Sequence, residues 1–343
     1  MTIKGKPTSL DIAHLAGVSQ PTVSRALRGS PSVNPETRER ILAIARQLNY
    51  KVDKNASNLR AQQSGTLALL FFEDPTPDDS LINPFFHSML GSITRACALR
   101  GYDLLVSFQQ LSTNWHADFE DSHKADGLIL LGYGDYLEAE SKLQQLVAQG
   151  THFVRWGAAL PGEPGVSIGC DNFQGGHGIT AHLLGQGRRR IAFLGHASAH
   201  YPEFFERYRG YAGALREAGL EPDPALQADA ITTEQAGHAA ARALLDAGAG
   251  FDAVFAASDL IALGAMKALR EHGRRIPEDV AVAGFDDIAM ASFVQPGLST
   301  VQQDTKQAGE VLVDSLIRLI QGEAVESRTL PVKVVLRGSS GAG

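Results

Sequence analysis

Gln20, Thr22, Ser24 and Arg25 fall close together in the segment GVSQPTVSRALRG, Gly17 to Gly29. An amide, two hydroxyls and a guanidinium are groups that read nucleic acid. Arginine donates two hydrogen bonds to guanine, and hydroxyls reach bases or phosphates. Arg28 adds a second cation to the same face. A different set is scattered over the rest of the chain: Phe86, Trp156, Arg207, Ser258, Asp259 and Asp286. Aromatic faces stack on apolar ring surfaces, and charged groups hydrogen-bond hydroxyls. Together they suit a sugar or a nucleobase. Enzyme chemistry finds little support. Neither a phosphate loop, a dinucleotide fingerprint nor a Gly-x-Ser-x-Gly elbow occurs. His196 and His200 sit in a Ser/Ala-rich turn, which is a poor setting for metal ligands. No catalytic residue, metal or cofactor is expected.

The first set needs a scaffold. Thr8 offers a hydroxyl cap to a helix through Ala16, which Gly17 closes. Ser19 caps a second helix with Pro21 in its first turn, where a missing N–H costs nothing. Val23, Ala26 and Leu27 turn inward, leaving Gln20, Pro21, Thr22, Ser24, Arg25 and Arg28 outside. Asn34 and Pro35 start a third helix whose Ile41, Ile44, Ala45 and Leu48 repeat at helical spacing. Two short helices around a Gly-Val-Ser turn, buttressed by a third, make a helix-turn-helix unit. Its second helix would enter the major groove, and Thr8, Asn34 and Thr37 stand at helix starts that suit phosphate. The same pattern also fits a three-helix packing module with a solvated face.

The second set needs another. From Gly65 strands and helices alternate: TLALLFF (66–72), a helix over 84–100, YDLLVSF, GLILLG, a helix over 137–149 and HFVRW. VSIG (166–169) opens a second series, with RIAFLG, DAVFAA and VAVAGF and helices between. Repeated strand-helix-strand units predict two doubly wound parallel sheets. Phe86, Trp156, Ser258, Asp259 and Asp286 then fall at the carboxyl ends of strands, where such sheets collect ligands. Asp259 and Asp287 can also be read as structural, Asp171-Asn172 as a turn, and Arg188–Arg190 as a solvated basic run.

Charge agrees with two functions on one chain. The 343 residues carry a net charge of −7, yet residues 1–63 hold ten Lys/Arg against four Asp/Glu. A basic head on an acidic body points to a polyanion partner for the head. No apolar run approaches a membrane span, and the N-terminus lacks the apolar core of a secretion signal. Cys97 and Cys170 are expected to be buried and reduced, which suits the cytoplasm.

The string TSLDIAHLAGVSQPTVSRALRGSPSVNPETRERILAIARQLNY resembles the DNA-binding head of the lactose-repressor (LacI/GalR) family almost position by position. NPFF (83–86), CDNFQGG (170–176), ERYRGYAGAL (206–215), SDLIALGAMKAL (258–269), IPEDVAVAGFDD (276–287) and LSTVQQD (298–304) extend the likeness. The resemblance implies an α/β fold: a three-helix head over 1–50, a hinge over 51–63 and a two-lobed, periplasmic-binding-protein-like core over 64–343. It implies crossings between lobes near 164, 292 and 327, giving an N-subdomain of about 64–164 and 293–326 and a C-subdomain of about 165–292 and 327–343. Tyr50 matches a head position of the family, and Leu59, after Ala56, matches a leucine that wedges into the minor groove. The hinge departs from the family pattern at Val52, Asp53 and Ser57, so a looser hinge is expected. Gln20 and Pro21 take the positions that distinguish operators. Pro21 has no side-chain hydrogen bond to give, so the reading falls to Gln20. Arg207 and Asp286 match effector-contacting positions.

The resulting expectation is a homodimeric, ligand-controlled regulator on double-stranded operator DNA, without contact to a membrane. It is a repressor of carbohydrate-utilisation genes relieved by a sugar effector. The alternatives are a corepressor design that answers to a purine or other metabolite and, from another class, a solute-binding protein. No heptad run follows the last strand, which favours a dimer.

Overall fold

The computed structural model describes residues 7–27, 29–50, 63–72, 82–132 and 134–341. The chain divides between Ser64 and Gly65 into two compact units.

The small unit is three helices around one core. In α1 (Ser9–Ala16), the Thr8 side chain accepts from the Asp11 N–H while the Asp11 carboxylate accepts from the Thr8 N–H, and Gly17 closes the helix at φ +64°. α2 (Gln20–Leu27) and α3 (Pro35–Gln47) follow, with Asn34 capping α3 through the Glu36 N–H at 2.9 Å. Ile12, Ala16, Val23, Ala26, Ile41 and Ala45 form the core, with Leu27, Ile44, Leu48 and Tyr50 packed around it. These are the inward positions that helical spacing predicts.

The large unit runs β1 (Thr66–Phe71), α4 (Pro84–Leu99), β2 (Asp103–Phe108), β3 (Leu128–Leu131), α5 (Tyr136–Gln149), β4 (Phe153–Trp156) and β5 (Val166–Cys170). It continues through α6 (Asn172–Gly185), β6 (Ile191–Leu194), α7 (Pro202–Glu217), β7 (Gln227–Ala228), α8 (Glu234–Asp246), β8 (Ala253–Ala256), α9 (Asp259–Glu271) and β9 (Ala281–Ala283). α10 (Met290–Phe293), β10 (Thr300–Gln303), α11 (Thr305–Ile320), β11 (Arg328–Leu330) and β12 (Val332–Val335) complete it. One sheet has the order β11-β5-β4-β3-β1-β2 and the other β7-β6-β8-β9. All pairings within both are parallel, as strand-helix alternation requires.

The crossings between lobes fall later than expected. β5 pairs with β4 in the first sheet, so the chain leaves that lobe at Asp171 and not near 164. β10 bridges the end of β9 at Ala283–Ser299 and Asp286–Gln302, so the second crossing lies near Asp304 and not near 292. β11 returns to pair with β5, and β12 pairs antiparallel with β10, so the third lies near Pro331 and not near 327. A buried apolar run such as VSIG carries no mark of which sheet it joins.

Helices α6 and α7 touch backbone to backbone. A Cβ at Gly176 would lie 2.2 Å from the Arg207 carbonyl oxygen, and one at Gly210 would lie 2.1 Å from that of Phe173. Glycine at both places lets α7 seat Arg207 deep in the lobe. Gly176→Ala is therefore expected to cost about 1–3 kcal/mol or more through overpacking. A thermal melt checks it, and an unchanged melting temperature would contradict the close approach.

The basic run Arg188–Arg190 is not merely solvated. Arg188 donates to the carbonyls of Asp252 and Pro277, and the Asp252 carboxylate accepts from the Arg189 and Arg190 N–H groups. Cys97 and Cys170 are buried free thiols, pushed up by burial to about 11 and about 12. Among the described residues no helix is long and apolar enough to cross a membrane.

Candidate functional site

In the head, α2 presents the predicted face. Pro21 and Arg25 are exposed, and Gln20, Thr22 and Ser24 are half-buried at its edge. The Gln20 amide donates to the Ser9 hydroxyl at 2.9 Å, which ties the start of α2 to α1. The hydroxyls of Ser19 and Thr22 share a 2.9 Å hydrogen bond. Thr8 and Asn34 are spent on caps: the Thr8 hydroxyl also donates to Asp11 at 2.7 Å. Both side chains are thus engaged within the head. Thr37 is half-buried in the first turn of α3, and Tyr50 packs against the head core. Arg28, Ala56, Leu59 and the hinge residues Val52, Asp53 and Ser57 lie outside the described residues.

Arg25 is exposed on this face, so its removal is expected to leave the fold intact. Arg25→Ala is expected to leave stability within about 0.5 kcal/mol. It should weaken binding to a preferred DNA site by about 1–3 kcal/mol. Fluorescence anisotropy against preferred and random DNA checks this; equal loss on both would contradict base reading.

In the large unit the centre is Arg207, fully buried on α7. Its Nε donates to Asn172 Oδ1 at 2.8 Å, and Nη1 donates to the Ala257 carbonyl. Asp286 Oδ1 lies 3.6 Å from Nη1. The guanidinium carbon sits 3.8 Å from the Phe285 ring centroid and 5.2 Å from that of Phe204. Asn172 begins α6 at the crossover between lobes, so Arg207 touches the joint itself.

Asp286 stands at the end of β9 with φ +119°, and Asp287 follows at φ +57°. Such left-handed backbone in non-glycine residues persists only when its surroundings fix it. Asp259 does so: its carboxylate accepts from the Ile288 N–H at 2.9 Å and the Thr300 hydroxyl at 2.6 Å. Arg337 and Gln302 hold Asp287. Asp259 thus serves the loop that carries Asp286. Ser258, and not Asp259, is the N-cap of α9, accepting from the Ile261 N–H and from the Thr232 hydroxyl.

Burial pushes the Asp286 carboxyl up to about 7, against the opposing pull of Arg207 and the Gln303 amide that donates to it at 2.7 Å. Burial and the nearness of Asp286 raise Asp259 well above the carboxylate range. Two neighbouring buried carboxyls cannot both carry charge without cost.

Phe85 and Phe86 are both buried, packed edge to face at 5.2 Å. Phe85 has its ring 6.1 Å from that of Trp156. The geometry therefore does not single out Phe86 of the two. Trp156, at the end of β4, lines a cavity with Phe72, Gln109, Tyr136, Arg155 and, from the other lobe, Glu203. The lobes meet there: Asp135 and the His200 ring are 2.7 Å apart, and Glu203 accepts from the Ala158 N–H at 2.9 Å. Arg207, Asp286 and Asn172 are brought together, whereas Ser258 and Asp259 are built into the support. Asn172, Gln303 and Glu203 escaped sequence reasoning. Their only signal was a place at the end of a strand or just after one, or one turn before Arg207.

Comparison with known proteins agrees with both halves. Residues 8–53 match the bacterial regulatory proteins of the lacI family, and residues 180–340 match a periplasmic binding protein-like domain. The chain is 34% identical to the HTH-type transcriptional regulator CelR of Thermobifida fusca, covering 98% of this chain and 97% of that one. It is 30% identical to the HTH-type transcriptional repressor CytR of Escherichia coli (strain K12), covering 98% and 96%. A solved complex of the transcriptional regulator CelR with cellobiose has 33% identity and a TM-score of 0.71, covering 97% of this chain and 99% of that one. The lac repressor dimer bound to operator and the anti-inducer ONPF has 26% identity and a TM-score of 0.82, covering 98% and 99%. With a capped helix-turn-helix head and a two-lobed α/β core matched along nearly its whole length, the chain belongs to the lacI family of bacterial regulatory proteins.

Proposed function

We propose that this protein is a homodimeric, cytoplasmic repressor of carbohydrate-utilisation genes, which binds operator DNA through its head and releases it when a sugar enters the cleft. The observation that carries the reading is the fully buried Arg207, held with Asp286 at the joint between lobes on the same chain as an exposed recognition face. A guanidinium and a carboxyl in a dry cleft hydrogen-bond hydroxyls strongly. Gln20, Thr22, Ser24 and Arg25 form the DNA-reading face. Two heads related by a two-fold axis fit a near-palindromic operator. Effector contacts fall to Arg207 and Asp286, with Trp156 and Phe86 as apolar walls and Ser258 and Asp259 as their support. The similar solved structures, a regulator with cellobiose and a repressor dimer on operator, support the same reading.

Coupling of about 1–3 kcal/mol between the sites would change operator affinity about 5–150-fold. The test is thermal unfolding against monosaccharides, disaccharides, sugar phosphates and purines. A ligand at about 100 times its Kd should add about 2.7 kcal/mol of stability. A sugar that stabilises the protein and lowers its affinity for operator is the expected result. Stabilisation by a purine with tightened operator binding would overturn the inducer reading.

A further inference from the structure

Gln20 opens α2 and carries the first polar side chain of the reading face. Its Nε2 donates to the Ser9 hydroxyl at 2.9 Å, across the turn between α1 and α2. Ser9 is itself held in place. It is the first residue of α1, and the capping box of Thr8 and Asp11 closes around it. The Asp11 carboxylate accepts from the Thr8 N–H at 2.8 Å and from the Thr8 hydroxyl at 2.7 Å. Ser9 and Gln20 are both half-buried. The link therefore joins a fixed point on α1 to a long side chain that would otherwise keep its rotamer freedom.

The neighbours leave base reading in the first turn of α2 to this amide. Pro21 has no side-chain donor or acceptor. The Ser19 and Thr22 hydroxyls bond each other at 2.9 Å. Arg25 lies more than a turn further along α2. The N-terminal residues of a recognition helix are the ones that meet base edges in the major groove. With one N–H given to Ser9, the amide keeps its Oε1 and a second N–H. An acceptor needs an amino group on the base edge, and in the major groove adenine and cytosine present one. Guanine and thymine present oxygens there, which meet Oε1 unfavourably. The second N–H needs an acceptor beside that amino group. Adenine supplies N7, whereas cytosine presents the amino donor alone.

We propose that Ser9 is a positioning residue for operator recognition: it holds the Gln20 amide in one orientation, so that Gln20 selects adenine at one base pair of each half-site. The proposal rests on α2 being the DNA-reading face, and adds the base that is read and the residue that sets the reading. A side chain ordered before binding loses less freedom on binding. Phosphate contacts supply the grip that ignores sequence. The Ser9 link should therefore act on discrimination between duplexes and not on affinity for DNA in general.

The test uses the full chain and a duplex selected from a random pool. Each base pair is replaced in turn, symmetrically in both half-sites, and binding is followed by fluorescence anisotropy. The pair whose preference disappears in Gln20→Ala is the one that Gln20 reads. It is expected to carry adenine, with binding about 5–150-fold weaker when another base stands there. Ser9→Ala should reduce that preference severalfold while affinity for random DNA stays within about twofold. Ser9→Thr, which keeps the hydroxyl, should retain the preference. Added to Gln20→Ala, Ser9→Ala should cost nothing further. A base other than adenine at that pair would overturn the proposal; guanine or thymine would mean that the amide reads as a donor. So would a Gln20→Ala variant with every preference intact, an adenine preference that survives Ser9→Ala, equal weakening of Ser9→Ala on every duplex, or a further loss in the double variant. A wild type that prefers no duplex would remove the DNA-reading face itself.

Discussion

Arg207→Ala is expected to be the most damaging single change in the large unit, at about 3–5 kcal/mol. The side chain is fully buried, so its loss opens a cavity between α6, α7 and the Phe285 ring. It also strands Asn172 Oδ1 and the Ala257 carbonyl, which accept from it. Asp286 loses the opposite charge that pulls its pKa down. Asp286 then takes up a proton more readily, so the damage should be smaller at pH 5 than at pH 8. Arg207→Lys keeps a charge but not a planar fork that can serve Asn172, Ala257 and Asp286 together. It should lose most effector affinity while the separate head still binds DNA. Urea titration and calorimetry check the two halves. A variant as stable as the wild type would contradict the placement of Arg207.

Asp286→Asn should do the opposite to stability. The folded protein holds this carboxyl at about 7, raised by burial from an ordinary 3.8. A raised acid binds its proton more tightly in the folded state than in the unfolded one. Its contribution is therefore fully present below about pH 4 and is lost as pH rises through about 7. Asparagine mimics the protonated form, keeps an acceptor for Gln303 and never ionises. The variant should exceed the wild type by something on the order of 3 kcal/mol at pH 8, with the gain shrinking towards pH 4. The asymmetry with Arg207 has a simple cause. Aspartate can discharge itself in a dry site and arginine cannot. Effector binding should weaken, because the amide replaces a carboxyl able to accept from two hydroxyls. Melting temperatures from pH 4.5 to 8.5 check the sign. Parallel curves for the two proteins would contradict it.

Much of this was legible in the sequence, and what was not has a common origin. Helix limits followed from caps and spacing: Thr8, Gly17 and Asn34 act where their chemistry says they should. The strands announced themselves as buried apolar runs. Partnership did not, because it is a tertiary fact. Nothing in CDN tells that Asn172 accepts from an arginine 35 residues away, nor in VQQD that Gln303 reaches Asp286. Ser258 and Asp259 are both good helix-start residues, and only the loop packed over them decides which one caps. The displaced lobe crossings have the same cause: the strand pattern fixes β5 but not its neighbour.

The central claim is that a ligand held by Arg207 and Asp286 governs the grip of the head on DNA. The most direct measurement is fluorescence anisotropy of the full chain on an operator selected from random duplexes, titrated with monosaccharides and disaccharides. The wild type should release the operator about 5–150-fold more readily with the active sugar, and Arg207→Lys should bind the same DNA without responding. A variant that still answers to the sugar, or a wild type that never prefers one duplex over another, would contradict the account.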